Sequence, residues 1–152
     1  MKSSYFDIFN YPLLKGDPKT VLAEPNAIVL SKSFAQKLFG NENPLGKRIS
    51  VFEDGTKTQL TVTGIMEDVP KTAHFRNSFL ISYETEKTLT DFGPKAHELN
   101  WNMNNYYTYL KLAPNTNIDV LRQKIMDSDI EKNDTERHNI EPIEAIHLYS
   151  NK

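Results

Sequence analysis

The first residues whose types and spacing could do chemistry are the two glycines and the lysine of GNENPLGKR, residues 40–48. A phosphate-binding loop of the Walker type needs four residues between its glycines, then lysine, then serine or threonine. That spacing lets consecutive backbone N–H groups wrap the phosphates while the hydroxyl holds magnesium. Here five residues separate Gly40 from Gly46, and Arg48 stands where the hydroxyl is required. The context is also reversed, because the helical pattern comes before the loop and the strand pattern after it. The stretch therefore reads as a helix end turning into a strand. Gly40 terminates the helix, Asn41, Glu42, Asn43 and Pro44 make a turn, and Lys47 and Arg48 open the strand.

Other candidate chemistry fails on spacing. The acidic run DSDIEKNDTE (127–136) suggests calcium, but an EF-hand loop starting at Asp127 needs glycine at its sixth position and glutamate at its twelfth. Those positions hold Lys132 and His138. No two of His74, His97, His138 and His147 stand at the three- or four-residue spacing that a helical pair of histidine ligands uses. No Gly-x-Ser-x-Gly elbow occurs. With no cysteine, disulfides, thiol catalysis and thiolate metal sites are all excluded. A net charge of −2 gives no basic excess to neutralise nucleic-acid phosphates. No apolar run reaches the roughly 20 residues that span a bilayer, and the N-terminus has no signal-peptide pattern. The expectation is a chain with no catalytic residues, no cofactor and no metal.

The elements that would position these residues follow from periodicity. AIVL (27–30) predicts a short buried strand, and Ser31 offers a helix N-cap, with Ser33 and Gln36 as an alternative capping box. Phe34, Ala35, Leu38 and Phe39 predict the buried stripe of a short helix. KRISVFE (47–53) and TQLTVTGIMED (58–68) flank Asp54-Gly55 as a hairpin, with Leu60, Val62 and Gly64 on one face. FLISY (79–83) predicts another strand. YYTYLKL (106–112) predicts a strand, followed by a helix capped by Thr116 with Ile118, Leu121 and Ile125 buried. A loop near 132–139 leads to a last strand, IEPIEAIHLYS (140–150). The predicted fold class is α+β: a small β-rich module with one short helix over residues 1–78, then a β-α-β unit over 79–152.

Taken in order, five phrases carry a resemblance: YFDIFNYPLLKGDP, AIVLSKSFAQKLFGNENPLGK, LTVTGIMEDVPKTAHF, YYTYLKL and IEPIEAIHLYS. Together they resemble the MacB-like periplasmic core domain of FtsX-like ABC transporter permeases, in the version common in Bacteroidetes. One departure is that Thr72-Ala73 precede His74 where the family carries Asn-Ser. The resemblance implies a chain cut from a longer inner-membrane protein, with a transmembrane helix before this domain and further helices after it. It implies a periplasmic domain of two subdomains that transmits ATP-driven conformational change and is not itself an enzyme. The implied partners are a separate ABC ATPase subunit, a second permease copy and a periplasmic adaptor. Loop character marks Asn41, Glu42, Asn43, Pro44, Asp68, Pro70 and His74 as expected partner contacts. Two other readings stay open at this stage. One is a binding module holding a ligand or protein near Trp101–Tyr109, and the other is an enzyme in which His74 and Asp68 converge.

Overall fold

The computed structural model describes residues 5–53, 55–70, 73, 76–85, 108–132 and 139–143. The chain divides into two compact units, Met1–Pro94 and Lys95–Lys152.

The first unit is built on one mixed sheet. Its elements are α1 (Tyr5–Ile8), β1 (Leu13–Lys15), β2 (Ala27–Ser31), α2 (Lys32–Phe39), β3 (Arg48–Glu53), β4 (Thr56–Met66) and β5 (Phe79–Ile81). β2 lies between β4, to which it is parallel, and β5, to which it is antiparallel. β3 and β1 both pair with β4 in antiparallel fashion, β3 along Thr56–Thr61 and β1 at Ile65–Met66. The continuous apolar run of β2 explains its central place. Every residue from Ala27 to Ser31 is buried, as expected of a strand covered on both faces.

The two faces have separate cores. Ile28 and Leu30 pack with Ala35, Leu60, Val62 and Ile65, joined by half-buried Phe34 and Phe39 of α2. Val29 points the other way, against Val21, Leu22 and Met66, with Phe6, Leu13 and Leu80 around them.

A bulge in β4 decides which residues reach which core. Ile28 pairs with Val62 and Val29 with Gly64, so Thr63 is the extra residue. Its hydroxyl lies 2.5 Å from the Val21 carbonyl and 3.2 Å from that of Ile28. Simple alternation puts Leu60, Val62 and Gly64 on one face. The bulge instead brings Ile65 beside Leu60 and Val62, and turns Gly64 toward Val21 and Val29.

Helix α2 begins as its sequence predicts. Ser31 is extended (φ −69°, ψ 154°), and its Oγ accepts from the Phe34 N–H at 3.4 Å. Gly40 ends the helix at φ 59°, where an L side chain is disfavoured, and its N–H donates to the Gln36 carbonyl. The buried stripe is narrower than predicted: Leu38 is 44% exposed. The helix packs on the sheet core through Phe34, Ala35 and Phe39. The hairpin forms where Asp54-Gly55 predicts it, with Glu53 paired to Thr56.

After β5 the chain turns into a helical segment at 83–85. Buried Ser82 donates to the Leu22 carbonyl at 2.9 Å, and buried Thr85 accepts from the Asn26 N–H at 2.7 Å. The predicted strand 79–83 thus stops at Ile81. β5 belongs to this sheet, and the first compact unit runs on to Pro94.

In the second unit, α3 (Ile118–Lys132) is the predicted helix. Its cap is Asn117 and not Thr116. The Asn117 Oδ1 accepts from the N–H groups of Asp119 and Val120, whereas the Thr116 hydroxyl donates back to the Ala113 carbonyl. Leu121 and Ile125 are half-buried, but Ile118 is exposed. Residues 108–112 and 140–142 carry no strand pairing. The rest of the two predicted flanking strands lies outside the described residues. The class is α+β, as predicted.

Candidate functional site

Of the predicted contact residues, those the structure describes cluster at the two ends of α2. An eight-residue helix is about 12 Å long, so Asp68 and the 41–44 turn stand roughly that far apart.

At the N-terminal end, the Asp68 Oδ1 accepts two hydrogen bonds from Ser33, from the N–H at 3.0 Å and from the hydroxyl at 2.7 Å. The hydroxyl bond is the main reason that the Asp68 carboxyl titrates below its ordinary range, outweighing a small desolvation effect, and nearby Lys32 adds to it. Pro70 is exposed, and its carbonyl accepts from the Ala73 N–H at 2.9 Å. His74 lies outside the described residues.

At the C-terminal end the turn is tied down locally. Glu42 forms an ion pair with Lys47, whose hydrogen bond and charge hold the Glu42 carboxyl below its usual range. The Lys47 ammonium also sits 5.1 Å from the Phe39 ring centroid, within cation–π reach. Asn43 accepts from Lys15 Nζ at 3.4 Å. Asn41, Glu42 and Asn43 are exposed, and Pro44 is buried. Lys47, the residue a phosphate loop would use, is therefore engaged by its own helix end and turn.

Between these ends, α2, β1 and the turn enclose an open groove of about 310 Å³. Its lining combines buried Ala35, Pro44 and Ile65 with exposed Leu14, Lys15, Lys32, Gln36 and Glu42. Sequence reasoning singled out Glu42 and Pro44 here but missed Leu14, Lys15, Lys32 and Ile65. No local signal marks them, because β1 meets β4 only through long-range pairing.

Among the described residues no three acidic or histidine side chains converge as a metal site. No described helix is long and apolar enough to cross a membrane. The first unit is thus a small α+β module, a mixed sheet with an apolar core on each face and an open groove beside α2. The chain belongs to the MacB-like periplasmic core domain family, matching it over residues 1–128. It is thus an extracytoplasmic domain.

Two solved structures share the fold. One is a domain assigned to a permease protein of Porphyromonas gingivalis, with TM-score 0.66 and 24% identity, covering 88% of this chain and 58% of that one. The other is the periplasmic region of MacB from Actinobacillus actinomycetemcomitans, with TM-score 0.50 and 20% identity, covering 84% of this chain and 52% of that one. The chain therefore spans little more than half the length of either. No curated protein matches the sequence.

Proposed function

We propose that this chain is the non-catalytic extracytoplasmic part of an ABC transporter permease anchored in the inner membrane. In this reading ATP is hydrolysed by a separate ATPase subunit, and two permease copies carry the movement across the membrane to their outer domains. A periplasmic adaptor is a further partner. Export or the handling of envelope lipoproteins is the resulting work.

The observation that carries the reading is the family match over residues 1–128, on a sheet whose central strand is buried along its whole length. A load-transmitting part must move as one body. Close packing on both faces of β2 supplies the low compressibility that passes displacement on without local yielding. Rigid-body rotation of such domains is a standard way of coupling distant sites.

The test uses the full-length permease assembled with its ATPase in vesicles. ATP hydrolysis and substrate movement are measured with the domain present and with it excised. Uncoupling, with hydrolysis retained or raised and transport lost, supports the reading. If both rates survive excision unchanged, the domain does not transmit force.

A further inference from the structure

The groove beside α2 has a chemistry of its own. Its lining is apolar through Ala35, Ile65, Leu14 and Pro44, and also carries two exposed lysines, Lys15 and Lys32. Neither lysine forms an ion pair among the described residues, and Lys15 donates only to the neutral amide of Asn43. Of the acidic groups nearby, Glu42 is paired with Lys47, and Asp68 bonds to the neutral Ser33 and keeps its charge near Lys32, so the cations Lys15, Lys32 and Lys47 outnumber the two carboxylates. The net charge around the groove is positive, and the surface between is apolar.

The third element is β1, which stands at the end of the sheet order and pairs only with β4. An edge strand beside an apolar groove suits an extended peptide, whose main chain can add to the strand while alternate side chains fill the groove. Leu14 is 45% exposed on this strand. Gln36, also exposed, lines the same groove and carries an amide, a hydrogen-bonding group that a lipid chain would not use.

We infer that this groove docks an extended peptide segment of a partner protein in which acidic residues alternate with aliphatic ones. The aliphatic side chains rest on Ala35 and Ile65, and the carboxylates meet Lys15 and Lys32. This goes beyond the force-transmission reading and does not depend on it, because docking is measured on the 152-residue chain alone.

The probe is a blocked, fluorescein-labelled peptide of about six residues alternating glutamate with leucine. Fluorescence anisotropy is followed at chain concentrations up to about 1 mM. A lysine–leucine peptide and anionic phosphatidylglycerol vesicles serve as parallel arms. Saturable binding of the acidic peptide is expected, weakened by salt. The double variant K15E/K32E should lose at least about tenfold in affinity. Both lysines are exposed, so the fold survives, which far-ultraviolet circular dichroism verifies. Q36W, also at an exposed position, should block the groove by size while leaving both charges in place. Equal binding by the lysine–leucine peptide overturns the inference, as does binding by vesicles only. Undiminished affinity in both variants, or no binding at 1 mM, also overturns it.

Discussion

Asp68 and Ser33 stand 35 positions apart in the chain, yet one oxygen of Asp68 receives both the backbone N–H and the hydroxyl of Ser33. The end of β4 is thereby fastened to the first turn of α2. The free N–H groups and partial positive charge of a helix start favour a carboxylate there. A residue that looks like an exposed loop acid is in fact a tertiary helix cap.

Replacing Asp68 with alanine should therefore lower stability by about 1 kcal/mol, the usual cost of losing a cap. The pH dependence has a definite sign. The folded carboxyl titrates below its ordinary value of about 3.9, so the cap's contribution is complete above that pH and fades as pH falls below it. Urea midpoints of wild type and D68N should differ at pH 7 and draw together below about pH 4. A constant gap across that range would refute the cap.

Gly16 should not accept a side chain. Its φ is +103°, and an added Cβ would lie 2.5 Å from Val21 Cγ1 and 2.8 Å from the Thr63 carbonyl oxygen. The backbone conformation and the clash act together, so Gly16→Ala should cost about 3 kcal/mol. Gly46 also has positive φ (+78°), but the space around it is open. Gly46→Ala should cost only about 1 kcal/mol. Thermal denaturation of the two variants side by side checks the order.

Thr85 is fully buried and holds the Asn26 N–H, with Asn26 itself in the left-handed region at φ 61°. Thr85→Val keeps the shape but leaves that donor without its acceptor. A loss of about 1–2 kcal/mol is expected. Thr85→Ser, which retains the oxygen, should recover part of it, and equal losses in both variants would point to packing alone.

Glu42 tests the turn at the other end of α2. Its carboxyl should titrate below the ordinary glutamate range because Lys47 donates to it. In K47A, carboxyl-carbon NMR should show it rising toward about 4.3. No rise would mean that the ion pair seen here is not maintained in solution.

The local elements were legible in the chain because their causes are local. An apolar run predicted β2, Ser31 and Gly40 marked the ends of α2, and Asp54-Gly55 placed the hairpin between β3 and β4. Each rests on conformational preferences of a few adjacent residues. The cap of α3 was misplaced by one residue, since Thr116 and Asn117 are both competent and only the observed backbone turn chooses Asn117.

Tertiary structure decided the rest. Whether Gly64 or Ile65 joins Leu60 and Val62 depends on the Thr63 bulge, whose hydroxyl lies within hydrogen-bonding distance of the Val21 and Ile28 carbonyls on other segments. Whether residues 79–81 open a new unit or complete the first sheet depends on β2 offering its free edge. The groove exists only because β1 reaches the far end of β4, bringing Leu14 and Lys15 opposite α2. Composition and spacing along the chain carry side-chain preferences. They do not carry the register between strands, and here a one-residue bulge settles which of the two cores each buried residue of β4 joins.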